Sequence, residues 1–101
     1  MADSGRESLL RREYYSQTAR IPWRDLQTWY AKGATVAVDA SLDLVEVAVQ
    51  LGMDNKALFE RWMGEGQIAG VTDEQARLWF ESDTSVWAVV SAPWVLVQER
   101  V

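Results

Sequence analysis

The sequence contains no cysteine and no histidine. Without cysteine the chain has no disulfide framework, no thiolate nucleophile and no thiolate ligands for zinc or an iron–sulfur cluster. Without histidine it lacks the commonest metal ligand and the commonest general base near neutral pH. Only carboxylates remain as ionisable ligands, and these suit Mg²⁺ or Ca²⁺. We therefore expect no tight binding of zinc, copper or iron, no bound cofactor, and no catalytic residue.

Proline and glycine are also scarce, with two and six copies in 101 residues. No tract rich in proline, glycine or serine divides the chain, and 49% of its residues are apolar. This composition predicts one folded domain over residues 1–101, with residues 1–5 as candidates for disorder.

Long apolar runs are absent as well. The N-terminus, MADSGRESLL, lacks the apolar core of a signal peptide. The longest apolar run falls well short of the ~20 residues that a membrane-spanning helix needs. We expect a cytoplasmic protein that does not bind membranes.

Charge is distributed unevenly along the chain. Residues 1–33 hold six basic and four acidic side chains, whereas residues 34–101 hold four basic and eleven acidic ones, so the two parts carry +2 and −7. An acidic body disfavours contact with nucleic-acid phosphates. We expect no DNA binding, and we treat RNA binding through a basic N-terminal helix as the weaker alternative to a solvated helix face. The arginines concerned are Arg6, Arg11, Arg12, Arg20 and Arg24.

Local signals predict helices in the first half of the chain. Ser4 and Glu7 form a capping-box pattern that predicts a helix over about 5–19. The Ile21-Pro22-Trp23 segment ends that helix and begins another, which Gly33 closes. The ATVAVD stretch at 34–39 follows, and its valines predict a strand.

The stretch over residues 40–51 fits both a helix and a strand. VEVAV has the composition of a strand, while Asp43, Glu46 and Gln50 fall on one helical stripe. Asp39 as the N-cap and Gly52 as the C-cap favour a helix here.

Two more helices are predicted in the second half. Asp54 is a candidate cap for a helix ending near Gly64 or Gly66. Thr72 and Gln75 form a second capping box, opening a helix that directs Ala76, Trp79 and Phe80 toward the core. The Gly64-Glu-Gly66-Gln-Ile-Ala69 letters fit a dinucleotide-binding loop, but they follow a helix and are better interpreted as a turn.

The C-terminal segment, VWAVVSAPWVLVQER at 86–100, is almost entirely apolar. It forms either two strands joined by a turn longer than two residues or one strand bent at Pro93. Its apolar residues occupy both faces, so helices or a second subunit must cover it from both sides. We predict an α+β fold in which about four to five short helices pack on a small, mostly antiparallel sheet built from 34–38 and this segment.

Two stretches are fairly specific, SLDLVEVA at 41–48 and APWVLVQE at 92–99. Shorter segments accompany them, namely IPW at 21–23, DNK at 54–56, Trp62 and Gln75. From about residue 17 to 99 the chain resembles a family of short bacterial proteins catalogued only as a domain of unknown function. The resemblance implies a single-domain bacterial protein with no assigned activity, cofactor or catalytic residue.

Asp43 and Glu46 form a candidate carboxylate site. Paired carboxylates can hold Mg²⁺ or perform acid–base chemistry if one pKa is raised. A polar stripe on an amphipathic helix is more often its solvated face. A carboxylate-dependent enzyme or metal-binding protein therefore stands as the alternative function.

The leading hypothesis is a non-catalytic protein-interaction module that self-associates. The chain is rich in tryptophan and poor in catalytic groups, and an aromatic anchor with a polar rim is typical of binding hot spots. Because a single helix layer covers only one sheet face, we expect a homodimer, with Trp87 or Val89 in the monomer core and an unknown protein partner as a further option. The candidate interface residues are Trp94, Gln98, Glu99 and Arg100.

Overall fold

The computed structural model describes the backbone of residues 2–99 and the side chains of residues 5–99. Within that range the helices are α1 (Ala2–Gln17), α2 (Gln27–Ala31), α3 (Leu44–Gly52), α4 (Lys56–Gly64) and α5 (Asp73–Glu81), with a 3₁₀ turn at Trp23–Leu26 before α2. The strands are β1 (Ala19–Pro22), β2 (Thr35–Val38), β3 (Ile68–Gly70), β4 (Ser85–Ser91) and β5 (Trp94–Gln98). The predicted α+β class is confirmed.

The strands form one sheet in the order β1-β4-β5-β2-β3. Strand β2 runs parallel to β5, and the other neighbouring strands are antiparallel. The β4–β5 pair occupies the middle, where Val89 lies opposite Leu96 and Ala88 opposite Val97. The C-terminal segment and residues 35–38 therefore form the centre of the sheet, as the sequence predicts.

Strands β4 and β5 form a hairpin, so the single bent strand is wrong. The turn consists of only Ala92 and Pro93, and the peptide bond between them is cis. This is the arrangement of a type VI turn, which has proline at its third position and does not depend on the Asn-Gly or Gly pairs of other two-residue hairpins. The expectation of a longer turn is therefore also wrong.

Helices cover both faces of the central hairpin. On one face Val89 and Leu96 pack in a cluster with residues of α3, including Val47. On the other, Ala88 and Val97 belong to a cluster that includes two tryptophans, Trp23 and Trp79, from the 3₁₀ turn and α5. Of the two alternatives, helices or a second subunit, the chain itself supplies a helix layer for each face.

Helices α3 and α4 begin at different caps from those predicted. The N-cap of α3 is Asp43, whose Oδ1 accepts a hydrogen bond from the Glu46 N–H at 3.2 Å, and not Asp39. The N-cap of α4 is Asn55, while Asp54 adopts a left-handed conformation with φ of 58°. In both cases a later polar residue caps the helix, so a short loop separates it from the preceding element.

Thr72 is the N-cap of α5 as predicted, since its hydroxyl accepts a hydrogen bond from the Gln75 N–H at 3.1 Å. Trp79 is buried as expected, but Phe80 is 44% exposed. One step along a helix rotates the side chain by about 100°, so two adjacent large residues cannot both face the core. Phe80 instead lies beneath the guanidinium of Arg24, 4.7 Å from its ring centre.

The sequence analysis did not predict the two edge strands, and it gave α1 different bounds. Strand β1 has four residues and ends in Pro22, and β3 has three and ends in Gly70, so neither has the composition of a strand. Helix α1 ends at Gln17 and begins at Ala2, which places Ser4 within the helix instead of at its cap. Among the helices of residues 2–99, none has the length and apolar character needed to cross a bilayer.

Substitution of Leu96, at the centre of the buried hairpin, tests the assignment of the core. Leu96 is fully buried, so Leu96→Ala removes packed methyl groups and should lower the free energy of unfolding by about 2–5 kcal/mol. Leu78→Ala is the matched control, because Leu78 is 57% exposed on α5 and should change stability by less than about 0.5 kcal/mol. Urea unfolding of both variants measures the difference. Equal losses would contradict this assignment of the core.

Candidate functional site

Four of the predicted site residues, Asp43, Glu46, Gln98 and Trp94, line two separate surface depressions. The first, which we call the α1–α3 cleft, lies between α1, the first turn of α3 and the adjoining ends of β4 and β5, and has a volume of about 490 Å³. Its lining residues are Arg11, Tyr15, Thr18, Asp43, Leu44, Val45, Glu46, Trp87 and Gln98. The structure thus brings both predicted carboxylates, Asp43 and Glu46, to one cleft.

Within the cleft, two side chains of the same protein donate hydrogen bonds to the Glu46 carboxylate. Arg11 donates to it from Nε at 3.0 Å and from a terminal nitrogen at 2.9 Å, and Gln50 donates from Nε2 at 3.1 Å. The same guanidinium donates to Glu7 at 2.8 Å. Hydrogen bonds to Glu7 and then to Glu46 raise the pKa of Arg11 above its usual value. A metal ion at Glu46 would have to compete with this guanidinium for the carboxylate oxygens.

Asp43 is the more accessible of the two carboxylates. It is exposed, and as the α3 cap it uses Oδ1 to hold the Glu46 N–H. Sequence reasoning did not pair Arg11 with Glu46, because the two residues are 35 positions apart and no local pattern links them. Within residues 2–99 no group of three or more acidic side chains converges into a cluster that could hold a metal ion.

Gln98 forms part of the cleft and is only 1% exposed. Its Nε2 donates to the carbonyl oxygens of Asp39 and Leu42 at 2.8 and 2.7 Å. These bonds fasten the loop before α3 to the end of β5. Its Oε1 is buried and has no hydrogen-bond partner in the described part of the chain. In the same loop, hydrogen bonds from the hydroxyl and then the backbone N–H of Ser41 lower the pKa of Asp39.

The second depression, which we call the hairpin groove, surrounds Trp94. It consists of two hollows of about 260 Å³ each, and Phe59 of α4 and Trp94 line both. Trp94 is 36% exposed, and the neighbouring Met63 is also exposed. The charged residues that line the groove are Asp54 and Lys56, which have opposite signs.

The other predicted interface residues do not lie in this groove. Gln98 is at the opposite end of β5 from Trp94, about 13 Å away along an extended strand. Glu99 is exposed next to it and borders a different hollow, shared with Trp79. Arg100 lies outside the described residues. The structure therefore separates Trp94 from the polar residues that were expected to surround it.

Several arginines of the basic N-terminal part contact the rest of the protein. Arg6 donates to the Gly52 carbonyl at 3.2 Å, and Arg24 lies 3.5 Å from the Asp83 carboxylate. Arg12 and Arg20 are exposed. Together with Arg11, these contacts show that the basic segment docks on its own acidic body.

A family model described as "Protein of unknown function (DUF2288)" matches residues 9–99. The chain belongs to this family. The resemblance read from the sequence motifs is thereby confirmed. No curated protein matches the chain.

The DUF2288 chain is also similar to a solved structure, described as the NMR solution structure of PA1075 from Pseudomonas aeruginosa. The two share 42% sequence identity with a TM-score of 0.80, over 93% of this chain and 87% of the other. That description assigns no activity, and the family description assigns none either.

The bonds made by Gln98 generate a stability prediction. Gln98→Met keeps the length of the side chain but leaves two loop carbonyls without a donor, so it should lower the free energy of unfolding by about 1–3 kcal/mol. Gln67→Met is the control, because the Gln67 amide is only 3.5 Å from its Ser41 partner. It should cost less than about 0.5 kcal/mol in urea unfolding. If both variants behave alike, the loop does not depend on Gln98.

Proposed function

We propose that this protein is a non-catalytic protein-interaction module that self-associates through the hairpin groove. The observation that carries the proposal is the exposure of Trp94. Trp94 and Phe59 together line both hollows of the groove. Helices of the same chain already cover both faces of the sheet. Half-exposed aromatic side chains in an apolar hollow are typical anchors of protein interfaces. Self-association through the groove does not require an uncovered sheet face, because helices cover both faces.

The electrostatics of the groove favour a second copy of the same chain as its partner. The chain carries a net charge of −5, yet the groove has one acidic and one basic lining residue, Asp54 and Lys56. In a two-fold contact each patch meets its own copy, so residue i of one chain faces residue j of the other in both directions. A two-fold axis near the Phe59–Trp94 pair would place Lys56 of each chain toward the partner's Asp54.

The shape of the groove supports the same contact. The exposed Met63 borders the hollow that also includes Gly70, the last residue of edge strand β3. Methionine is flexible and adapts to varied apolar surfaces, so it suits the border of a docking hollow. The tryptophan of one copy would insert beside Phe59 of the other, burying the apolar area that now faces water.

Trp94→Ala tests the anchor. We expect the parent protein to elute with about twice its 11.5 kDa mass at tens of micromolar, as measured by light scattering coupled to size exclusion. Truncation of one anchor costs about 2 kcal/mol, and a two-fold contact loses two anchors, so Trp94→Ala should weaken dimerisation by about 4 kcal/mol, roughly a thousand-fold, while leaving a folded protein. Trp29→Ala is the matched control, because Trp29 is similarly exposed but does not line the groove. A monomeric parent, or equal weakening by both variants, would contradict the proposal.

A second variant guards against an unfolded Trp94→Ala protein. Lys56 is exposed, so Lys56→Glu should not disturb folding. In the two-fold contact the substitution would place the new carboxylate opposite the partner's acidic Asp54. We therefore expect it to weaken dimerisation. Lys32→Glu makes the same charge change outside the groove, where Lys32 lies over the Trp29 ring. If Lys32→Glu weakens the dimer as much as Lys56→Glu, net charge and not the groove controls association.

A further inference from the structure

We propose that Asp54 determines how two copies of the chain align in the hairpin groove, because its carboxylate binds the ammonium group of Lys56 from the second copy. The inference rests on self-association through the groove and adds the residue that orients the two copies. Three observations support it: the backbone conformation of Asp54, the lack of a basic partner for its carboxylate among the described side chains, and its position on the rim of the groove.

Four helices in the described part of the chain end in the same backbone motif. In each, one residue has a positive φ, and the N–H of the next residue donates to the carbonyl five positions earlier at 2.9 or 3.0 Å. This is the Schellman motif, in which glycine is the usual residue with positive φ. The positive-φ residues are Gly33 after α2, Asp54 after α3, Gly66 after α4 and Asp83 after α5, with φ of 70°, 58°, 74° and 53°.

Aspartate is a costly residue at the end of α3. A positive φ brings the Cβ atom close to the following carbonyl oxygen, a contact that glycine avoids although aspartate tolerates it better than most residues. A carboxylate at this position also lies at the negative end of the helix dipole. Glycine has neither cost, as at Gly33 and Gly66. An aspartate in the same motif therefore needs a contact that compensates for both.

The two aspartates differ in what their carboxylates contact. The Asp83 carboxylate lies 3.5 Å from Nε of Arg24, and the same guanidinium donates to a carbonyl in the last turn of α5 at 3.3 Å. At the end of α3, Arg6 donates to the Gly52 carbonyl. However, no basic nitrogen of the described side chains lies within 4.0 Å of the Asp54 carboxylate. The chain thus supplies a cation for Asp83 and none for Asp54.

The position of Asp54 indicates where its cation comes from. Asp54 and Lys56 are both exposed and line the hollow that contains Trp94. In a two-fold contact the Asp54 of each copy meets the second copy's Lys56, so that two ion pairs form. An alignment that placed the two Asp54 carboxylates together would be disfavoured by repulsion. Apolar contact alone has no preferred direction, so this pair of charges selects one alignment of the grooves.

Two charge variants test the contact, first separately and then mixed. Asp54→Lys places basic groups opposite basic groups in the two-fold contact, and Lys56→Glu places acidic groups opposite acidic ones. Each variant alone should therefore dimerise roughly ten-fold more weakly than the parent, or worse. In an equal mixture the basic pair of one variant meets the acidic pair of the other, and we expect a heterodimer of about parental affinity by light scattering coupled to size exclusion.

Net charge cannot produce that heterodimer. Both variants remain net negative, at −3 and −7, because each substitution changes the parent charge of −5 by two. Asp83→Lys mixed with Lys32→Glu is the control, because it makes the same charge changes outside the groove. Both control variants should dimerise like the parent when alone. If they weaken dimerisation as much as the groove variants do, the role of Asp54 is wrong.

The results separate this inference from the self-association on which it rests. If the parent dimerises and Trp94→Ala weakens the dimer, but the mixture of Asp54→Lys and Lys56→Glu stays monomeric, the groove is the interface and the Asp54 assignment is wrong. A monomeric parent would contradict self-association and the Asp54 assignment together. Circular dichroism of each variant verifies that it is folded.

Asp54→Asn is the milder variant and gives two effects of opposite sign. Asparagine tolerates a positive φ but carries no charge at the end of α3, so the thermal unfolding midpoint of diluted, monomeric protein should rise by about 2–6 °C. Dimerisation should weaken about ten-fold, because two ion pairs are lost. Asp83→Asn is the matched control, since it loses the Arg24 contact, and it should raise the midpoint less and leave dimerisation unchanged. A lower midpoint for Asp54→Asn, or equal weakening of dimerisation by both variants, would overturn the inference.

Discussion

The fold depends on the burial of both faces of the β4–β5 hairpin. Val89 and Leu96 lie opposite each other on one face, and Ala88 and Val97 on the other, and all are buried. Neither face of such a pair can remain in water, so the chain must provide a helix layer on each side. The arrangement of the other elements follows from this requirement.

Helix α1 covers its part of the sheet incompletely, and the α1–α3 cleft lies where the cover is missing. Its contacts with the body include polar ones, such as Arg11 with Glu46 and the Tyr14 hydroxyl with Ser91 at 3.3 Å. Gly52 allows the close approach of α1, because a Cβ atom there would lie 2.8 Å from the Tyr14 hydroxyl oxygen. The helix is therefore held against the end of α3 without filling the space over Trp87. A cleft with polar walls and an aromatic side remains.

The sequence predicted the parts of the fold that are governed by local patterns. The valines of β2, the capping box at Thr72 and the apolar run of β4 and β5 each carry their signal within a few residues. Edge strands β1 and β3 are short and gain their conformation from pairing with distant strands, so composition could not reveal them. The choice of Asp43 over Asp39 as the α3 cap likewise depends on where the loop is fastened by Gln98, a bond across 59 residues.

For the candidate sites, single residues could be predicted from the sequence, but their partners could not. Asp43, Glu46 and Trp94 could be selected because each is conspicuous beside its neighbours in the sequence. Arg11 could not be joined to Glu46, nor Phe59 to Trp94, because those pairings are made by tertiary packing. Gln98 was expected at a solvated rim, since polar residues commonly end an apolar strand, but the alternation of side chains directs it toward the loop that it holds.

Strand β5 connects the hairpin groove to the α1–α3 cleft. Its alternate residues Trp94, Leu96 and Gln98 face the same side of the sheet, in the order groove, core and cleft. Leu96 is fully buried between the other two, so the sites have no common lining residue and each has its own charges. The groove is balanced by Asp54 and Lys56, whereas the cleft is net negative. One apolar strand thus separates the groove that we propose as the contact with a second copy of the chain from the cleft that holds Asp43 and Glu46.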